Sequence, residues 1–392
     1  MEYVGWFLVT LCLVPVLSLA FQVFFAFRFK EKISNSPEGR IPKVVVLIPA
    51  HNEEKVIRRT LEGYCARLDS NVEIVVIADN CDDSTAAQAK EFPVTVLERQ
   101  DESKAGKGYA MQFGLEYIRN KTEEPDVVIF VDADSHLLAD ARLAQLGNIS
   151  MTLGHPFQAG NMLLHDRSTN SIGRIKSFAW IVKNFVRPMG MRAMGFNCML
   201  QGNGMVFPWH ILRQRDVSSS NIVEDNKLAI DLARSGVKIG FVPHIAFGSF
   251  FEITQDAVST QSRRWEGGTL ALLFTELPSL LVESFRKRMM GLLGPAIELV
   301  VPPVSLLFSL LALSSSYALI TGWMSEYWLL SQVMGGLILV FIVVIFAAWF
   351  GWAKSVVKLS DILSCGYYAF RKIPFYLTLI FKRAAKWERA AR

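Results

Sequence analysis

The chain has few cysteines and histidines, and neither type is grouped. Its 392 residues include 5 cysteines and 6 histidines, with no CxxC pair and no Cys/His spacing typical of a zinc site. No internal repeat, low-complexity stretch or nucleic-acid-binding motif is present. The sequence therefore disfavours a disulfide scaffold, a zinc-binding module, a repeat protein and a nucleic-acid-binding protein.

Charged residues are also missing from long stretches of the chain. Residues 3–27 carry none, and two further apolar runs cover Gly291–Ile320 and Tyr327–Trp352. About 20 apolar residues suffice to cross a bilayer core of roughly 30 Å, so we expect about three membrane-spanning helices. Glu298 within the second run either faces protein, water or an acceptor path, or precedes a span that begins near Val300. We favour the second interpretation of Glu298.

Basic residues lie beside these apolar runs and indicate their orientation. The positive-inside rule makes the flanked ends cytoplasmic and leaves the N-terminus outside an inner, or plasma, membrane. The charge that precedes the first run is Glu2, which favours a retained anchor over a cleaved signal peptide. The net charge of +5 is modest, so membrane lipids are expected partners and nucleic acid is not. The flanking basic residues are Arg28, Lys30, Lys32, Arg286, Lys287, Arg288, Lys354 and Lys358.

Between Lys43 and His244, β-branched runs alternate with stretches of helical spacing. This pattern predicts an α/β domain built on a mostly parallel sheet with helices on both faces. The predicted strands are Val44–Pro49, Val72–Ala78, Val94–Leu97 and Val127–Val131, and the predicted helices are Glu53–Leu68, Asp83–Glu91, Gly106–Asn120, Ser171–Arg192 and Glu224–Ser235. Ligands of open parallel sheets bind beyond the carboxyl ends of the strands. The polar residues that follow these strands should therefore share one rim.

Two aspartates follow the fourth predicted strand. Asp132 and Asp134 flank one small residue, Ala133, so both carboxylates can face one pocket while Ala133 points into the core. Mg²⁺ or Mn²⁺ held by one or two carboxylates keeps positions open for phosphate oxygens. The alternative is a polar turn at a strand end. The position beside Asp79 favours the metal site, with Asp134 and Asp132 as ligands.

Residues that suit a nucleotide follow the first two strands and open a later helix. Asp79 follows the second strand, where its carboxylate could accept hydrogen bonds from a base edge or cap a helix. Lys104 and Lys107 lie with two glycines at a predicted helix start, where free amides and positive charge favour phosphate. An exposed, solvated loop is the alternative for these lysines.

Two acidic residues open the predicted helix Glu224–Ser235. Direct displacement at an anomeric carbon requires a base that deprotonates the acceptor hydroxyl and is distinct from the metal ligands. Asp225 is our candidate for that base. Glu224 is a second catalytic candidate, although a residue that only stabilises the helix N-terminus would look the same.

Three residues of the sequence QSRRW share one face of a predicted helix. Gln261, Arg264 and Trp265 have i, i+3 and i+4 spacing. An indole face can stack on a sugar ring, and Gln and Arg can donate to phosphate or hydroxyl oxygens. The alternative is an Arg–Trp anchor at the membrane interface. The glycine-rich turn Gln201–Gly204, with Gln201 and Gly202, is expected on the acceptor side.

Taken in order, these motifs resemble those of the membrane-integrated family 2 glycosyltransferases, which include cellulose, hyaluronan, chitin and poly-N-acetylglucosamine synthases. The resemblance covers Lys43 to about Trp265 and implies a GT-A fold, a Rossmann-like mixed sheet, with inversion at the anomeric carbon and UDP as the nucleotide. It also implies roles for single residues. Nucleotide contacts are expected from Pro49, His51, Glu53, Asp79, Lys104, Lys107 and Asp132; metal binding from Asp132 and Asp134; base catalysis from Asp225; and acceptor or diphosphate contacts from Gln261, Arg264 and Trp265.

The sequence departs from the family in two ways. Val223 stands where the family commonly has Thr before the acidic pair, and about three spans replace the many spans with which polymer synthases form a channel. A second subunit or an export partner could complete a pore, or the product could stay attached to a lipid. The segments expected are 1–28 anchor, 29–42 linker, 43–250 GT-A domain, 251–290 QxxRW and interfacial helices, 291–352 two spans, and 353–392 interfacial tail.

The sequence thus predicts a metal-dependent, inverting transferase that extends a polysaccharide or glycan from a nucleotide-sugar donor. The acceptor is a glycan or a lipid-linked glycan. Transfer of a single sugar to a lipid is the nearest alternative. A catalytically silent, nucleotide-responsive membrane scaffold is the alternative of another class.

Overall fold

The structure is a computed structural model that describes residues 2–30, 40–139, 141–164, 170–219, 223–250 and 255–381, with the side chains of 255–264 and 379–381 outside the description. The chain divides into two compact units. We call Lys30–Leu164 with Asn197–Phe250 the sheet unit, and Met1–Phe29, His165–Phe196 and Phe251–Arg392 the helical unit. The predicted linker 29–42 falls mainly on 31–39, outside the described residues.

The sheet unit is built on one mixed, eight-stranded sheet with the order β3-β2-β1-β4-β7-β6-β8-β5. Strands β3, β2, β1 and β4 pair in parallel, and β7 is antiparallel to β4. The strands are β1 (Val44–Ala50), β2 (Val72–Asp79), β3 (Thr95–Arg99), β4 (Val127–Phe130), β5 (Ser135–Leu137), β6 (Phe157–Leu164), β7 (Met205–Pro208) and β8 (Gly240–Phe250).

The first four strands confirm the predicted α/β pattern. Runs such as Val44–Ala50 and Val127–Phe130 are apolar on both faces because helices cover both sides of a parallel sheet.

Numbered in chain order, the α-helices are α1 (Glu2–Arg28), α2 (Ile57–Cys65), α3 (Thr85–Ala89), α4 (Lys107–Arg119), α5 (Leu143–Leu153), α6 (Ser171–Ile181), α7 (Arg187–Ala193), α8 (Trp209–Leu212), α9 (Glu224–Arg234), α10 (Gln255–Thr275), α11 (Leu277–Arg286), α12 (Leu293–Val300), α13 (Val304–Ser325), α14 (Leu329–Ala348), α15 (Leu359–Arg371) and α16 (Ile373–Phe381).

Several predicted boundaries need correction. The helix predicted over Glu53–Leu68 is only α2, Ile57–Cys65, because residues 51–56 form a turn with Asn52 at a positive φ of 55°. The helix predicted over Ser171–Arg192 is continuous but contains a π-helical segment, Val182–Val186, between α6 and α7. Extra strands that the sequence analysis did not predict, β5 to β8, complete the sheet.

Three helices of the described chain are long and apolar enough to cross a membrane. They are Glu2–Arg28, Val304–Ser325 and Leu329–Ala353, and a helix pair bent by 43°, Trp265–Thr275 with Leu277–Arg286, would make a fourth if it acted as one span. The number confirms the expectation of about three. The second apolar run is not one helix from Gly291, because Pro302 and Pro303 separate α12 from α13.

Glu298 lies on α12, which precedes the candidate span Val304–Ser325, and faces protein. Its carboxylate pairs with Arg187 of α7 at 2.8 Å, and the Arg187 guanidinium also donates to Gln22 of α1 at 2.6 Å. Arg187 and Glu298 are both at least nine-tenths buried. Glu298 thus faces protein, and the candidate span of this apolar run begins beyond it, with Val304 as the first helical residue.

Candidate active site

The first two strands of the sheet end in an interlocked pair of loops. His51 Nδ1 lies 2.7 Å from the backbone oxygen of Asp79, and the Glu53 amide donates to the Thr85 hydroxyl at 2.7 Å. Pro49, near the end of β1, is half-buried. The parallel pairing of β1 with β2 forces these two carboxyl ends together. The predicted shared rim is thus present for the residues that follow β1 and β2.

The Asp79 carboxylate is buried and forms an ion pair with Arg99. The two groups are 2.5 Å apart, and Arg99 also donates to Asp101 at 3.1 Å and to the backbone oxygen of Lys104 at 3.0 Å. Burial raises the pKa of Asp79 above its usual range, while Arg99 opposes that rise. The sequence analysis missed Arg99, although its place at the end of β3, next to β2, follows from the strand order. Arg99 thereby links Asp79 to the loop of Lys104.

The aspartate pair after β4 contacts residues from three other parts of the sheet unit. Asp132 pairs with Lys107, the first residue of α4, and its amide donates to Asn203 at 3.2 Å. Asp134 accepts a hydrogen bond from the Ser249 hydroxyl of β8 at 3.3 Å. Ala133 between them is buried in the core, as predicted. Two hard carboxylates therefore follow the same strand, as a Mg²⁺ or Mn²⁺ site that uses one or two carboxylates requires.

Lys107 and Gly202 connect Asp132 to Asp225. The Lys107 ammonium donates to the Gly202 backbone oxygen at 2.8 Å. Gly202 has a φ of +78°, and a methyl group added there would lie 3.2 Å from the Lys107 ammonium and 3.3 Å from an Asp225 carboxylate oxygen. The turn at Gly202 thus lies against both groups. Asp132, Lys107, Gly202 and Asp225 form one cluster, although they lie far apart in the sequence.

Electrostatics within this cluster shift two pKa values. Burial, and next the charge of Asp225, raise the pKa of Glu224 to about 7. Burial lowers the pKa of Lys107, but Asp132, Glu224 and Asp225 together outweigh burial and hold the pKa above its usual value. One ammonium therefore compensates several carboxylates. Val223, and not Glu224, is the residue before the helix, and Glu224 lies in the first turn of α9.

A buried amide network holds the glycine-rich turn. Gln158 of β6 accepts from the Gln201 amide at 2.9 Å and donates to the Asn203 backbone oxygen at 2.7 Å. The Asn203 side chain donates to Ser135 at 2.9 Å. Sequence analysis missed Gln158 and Asn203. A Gln near the start of a mostly apolar strand was the available signal, because a fully buried amide requires partners.

The QSRRW residues lie on α10, in the helical unit. The side chains of Gln261 and Arg264 are outside the described residues. Trp265 is half-buried, and its ring packs against Trp180 of α6 with centroids 4.8 Å apart. Of the predicted site residues, the structure therefore groups Asp132, Lys107, Gly202, Glu224 and Asp225 in one cluster, whereas Trp265 contacts residues of the helical unit.

The described residues contain no group of three or more His, Cys, Asp and Glu side chains that could hold a metal by themselves. A site with two aspartates is still suited to a metal that also binds phosphate oxygens, because Mg²⁺ commonly uses only one or two carboxylates. The donor set of Asp132 and Asp134 fits such a metal.

The fold resembles that of known GT-A enzymes. The mannosyltransferase PcManGT from Pyrobaculum calidifontis, solved in complex with GDP-Man and Mn²⁺, has a TM-score of 0.52 at 12% identity, and the match covers 96% of this chain and 99% of that chain. Glucosyl-3-phosphoglycerate synthase from Mycobacterium tuberculosis has a TM-score of 0.40 at 18% identity and covers 61% of this chain and 86% of its own. At this level of identity the first match shows the fold alone, and it confirms the predicted mixed α/β class.

Sequence comparison identifies the family. A probable glycosyltransferase, YdaM from Bacillus subtilis (strain 168), is 35% identical over 103 residues, which are 24% of this chain and 23% of that protein. The chain thus matches about a quarter of the length of this curated relative. The family model described as "Glycosyltransferase like family 2" matches residues 42–268, more than half of the chain. The chain therefore belongs to glycosyltransferase family 2.

Proposed function

We propose that this chain is an inverting, metal-dependent glycosyltransferase that uses a nucleoside diphosphate sugar, with UDP as the nucleotide, to extend a glycan or glycolipid. The observation that carries the proposal is the cluster in which Lys107 and Gly202 join Asp132 to Asp225. A transferase of this type needs a diphosphate site beside a base, and the cluster provides candidates for both. Membership of family 2 supports the reaction class.

Asp225 is proposed as the base that deprotonates the acceptor hydroxyl. It lies in the first turn of α9, with Gly202 as its neighbour across the cluster. Glu224 is proposed to assist: with a pKa near 7 it is partly protonated at neutral pH, which reduces the repulsion between the two adjacent carboxylates. The base stays distinct from the proposed metal ligands, as inversion by direct displacement requires.

Asp134 is proposed as the main metal ligand, with Asp132 assisting. A bound Mg²⁺ or Mn²⁺ would supply charge that stabilises the departing diphosphate. Lys107 supplies positive charge of its own at the same place, because it contacts Asp132. The Mn²⁺ in the solved complex of PcManGT supports the choice of metal.

Nucleotide contacts are proposed for Pro49, His51, Glu53, Asp79 and Lys104. Support comes from their common rim: His51 contacts Asp79, and Arg99 links Asp79 to the loop of Lys104. Acceptor or diphosphate contacts are proposed for Gln201, Gly202, Gln261, Arg264 and Trp265.

We also propose a division of the chain into five segments. They are an anchor at 1–28, a GT-A domain at 43–250, the 251–290 segment, spans within 291–352 and an interfacial tail at 353–392.

We also propose that the catalytic domain is cytoplasmic, at an inner (plasma) membrane, with the N-terminus outside. The basic residues that flank the three apolar helices support this orientation. Membrane lipids would then contact the helical unit. A second copy of the chain or an export partner would be needed if the product crossed the membrane.

The decisive test replaces the proposed base. Asp225→Asn should keep donor and metal binding but lower the transfer rate at least 100-fold, because general base catalysis typically contributes 10²–10⁴-fold. Donor binding is measured by calorimetry and transfer with a radiolabelled UDP-sugar panel on membranes. Asp231→Asn is the matched control, since Asp231 lies on the same helix in a surface pair with Lys227. Full transfer by Asp225→Asn would refute the proposed mechanism.

A second function, transfer of a single sugar to a lipid acceptor, is favoured by the small number of spans. Three helices of the described chain, or four with the bent pair, are long and apolar enough to cross a membrane. Sizing the radiolabelled product separates the two functions, because extension yields a ladder of lengths and single transfer yields one species.

A further inference from the structure

The carboxamide of Asn203 lies between the proposed metal ligands and the glycine-rich turn of the sheet unit. Asn203 is only 2% exposed, and a carboxamide buried in this way needs partners for both its oxygen and its nitrogen. It finds them at the two ends of the segment Asp132–Ser135. We call this segment the aspartate loop, because it carries both proposed metal ligands, Asp132 and Asp134.

The register of the sheet places Asn203 opposite Asp132. Strand β7 runs antiparallel to β4, with Met205 opposite Phe130. The Gly204 amide still donates to the Phe130 backbone oxygen at 2.9 Å. One residue further along, the backbone has left the strand conformation, because Gly204 has a φ of +73°. The side chain of Asn203, and not its backbone, therefore accepts the hydrogen bond from the Asp132 amide.

The Asn203 side chain bonds both ends of the aspartate loop. The Asp132 amide donates to Asn203 Oδ1 at 3.2 Å, and Asn203 Nδ2 donates to the Ser135 hydroxyl at 2.9 Å. The Ser135 amide donates to the Asp132 backbone oxygen at 3.1 Å, which closes the loop as a four-residue turn. Because a backbone amide can only donate, the Asp132 amide fixes which end of the carboxamide is the oxygen. One side chain thus holds the start and the end of this turn.

Asn203 is itself held by strand β6. The Gln158 carboxamide donates to the Asn203 backbone oxygen at 2.7 Å, and Asn203 Nδ2 lies 3.3 Å from Asn161 Oδ1. Gln158 and Asn161 are both buried on β6. Groups placed on strands are held more precisely than groups placed on loops. The aspartate loop is therefore connected through Asn203 to the interior of the sheet.

The directions of the two proposed metal ligands depend on the backbone of this loop. Asp132 and Asp134 both belong to the turn, so its conformation sets where each side chain leaves the backbone. Mg²⁺ demands near-ideal octahedral geometry, whereas Ca²⁺ accepts irregular geometry and a variable number of ligands. A turn that is held at both ends should therefore favour the stricter ion, and a loosened turn should lose that preference.

We propose that Asn203 is a positioning residue that sets the geometry of the metal site through the backbone of the aspartate loop. Both ends of its carboxamide hold the loop, so it acts through the two aspartates and not as a metal ligand. Its neighbour Gly202 lies against Lys107 and Asp225, so the same turn also contacts the side of the proposed base. The inference rests on the proposed metal-dependent function and deepens it, because it names a residue that determines which cation the site prefers.

The test measures cation binding by the full chain in nanodiscs of phosphatidylcholine. Electron paramagnetic resonance reports free Mn²⁺, and Mg²⁺ and Ca²⁺ are added as competitors. Asn203→Ala should weaken Mg²⁺ binding about 10- to 100-fold, as is typical when a group that orients metal ligands is removed. Ca²⁺ binding should weaken about threefold or less, because Ca²⁺ tolerates a distorted site. The ratio of Mg²⁺ affinity to Ca²⁺ affinity should therefore fall.

Two further variants separate positioning from a general loss of stability. Asn197 is another buried asparagine of the sheet unit, 7% exposed, and its Oδ1 accepts from the Ile239 amide at 3.1 Å. Asn197→Ala should lower the unfolding midpoint as Asn203→Ala does, but leave the ratio of the two affinities unchanged. Ser135→Ala removes one end of the clamp and keeps the acceptor for the Asp132 amide. It should lower the same ratio by less than Asn203→Ala.

The outcomes distinguish this inference from the proposed function. Equal losses of Mg²⁺ and Ca²⁺ binding in Asn203→Ala, or the same change of ratio in Asn197→Ala, would overturn the positioning role and leave the metal-dependent function in place. If Asn203→Ala does not fold, Ser135→Ala decides, and an unchanged ratio there would overturn the role as well. No binding of Mn²⁺ by the unmodified protein, with or without UDP, would reject the metal-dependent function and this inference with it.

Discussion

The sheet unit and the helical unit arrange their charges in different ways. In the sheet unit one ammonium, Lys107, serves Asp132, Glu224 and Asp225 at once. In the helical unit two ion pairs, Arg187–Glu298 and Arg174–Asp361, each join one buried carboxylate to one guanidinium. A cluster in which carboxylates outnumber cations can bind a further cation, whereas a pair of one cation and one carboxylate has no charge left to compensate. The first arrangement suits a reaction centre and the second suits a scaffold.

The largest effect that this comparison predicts is on stability, at the matched pair of the helical unit. Glu298→Gln should lower the free energy of unfolding by about 3–5 kcal/mol, because it leaves the Arg187 charge buried without compensation. Glu283→Gln removes the half-buried partner of the exposed Lys287 in the same unit and should cost about 0–1 kcal/mol. Unfolding in detergent, followed by circular dichroism, measures both variants. Equal losses would show that the buried pair is not a special element of the scaffold.

The second effect sharpens the role of the turn that joins the carboxylates of the sheet unit. Gly202 and Gly236 have φ values of +78° and +74°, but only Gly202 lies against Lys107 and Asp225. Alanine at either position should cost about 1–2 kcal/mol of stability, because a Cβ is strained in this backbone region. Gly202→Ala alone should also lower the transfer rate, by about 10- to 100-fold, since it displaces Asp225.

The measurements for these two glycines are the initial transfer rate and the unfolding midpoint of each variant. Gly236 is an internal control because nothing lies within 4 Å of an added methyl group there. If Gly202→Ala kept the transfer rate of Gly236→Ala, the contact between the turn and Asp225 would have no part in catalysis.

The strand ends of the sheet unit were predictable from sequence because strand and loop alternate there with a strong pattern. Apolar runs such as Val127–Phe130 end where polar residues begin, so the rim of Asp79 and Asp132 could be placed without coordinates. Family membership confirms the general resemblance that the motifs suggested, while the narrower likeness to polymer synthases stays a prediction. The three apolar helices were predictable for a similar reason, since only length and the absence of charge were needed.

Partners that come from distant parts of the chain were not predictable. Arg99 is the last residue of β3 and belongs to no motif, and its pairing with Asp79 depends on the order of the strands. Gln158 supports the glycine-rich turn from a strand that the sequence analysis did not predict. The Lys372–Glu266 pair joins residues 106 positions apart. Single-sequence periodicity describes local structure and cannot rank such long-range pairs.

The last prediction concerns pH and tests the carboxylate cluster of the sheet unit. The pKa of Glu224 is about 7 in the folded protein, compared with an ordinary value of 4.5. Between these two pH values the folded state binds more protons than the unfolded state, so stability falls as pH rises, by at most about 1.4 kcal/mol per pH unit. Glu224→Gln should remove this contribution to the pH dependence of stability. The measurement is the unfolding midpoint of the unmodified protein and of Glu224→Gln at a series of pH values from 4.5 to 8. Asp231→Asn, on the exposed side of the same helix, should leave the slope as it is. If Glu224→Gln also left it unchanged, the proton would reside elsewhere in the cluster, and the role proposed for Glu224 beside Asp225 would have to be abandoned.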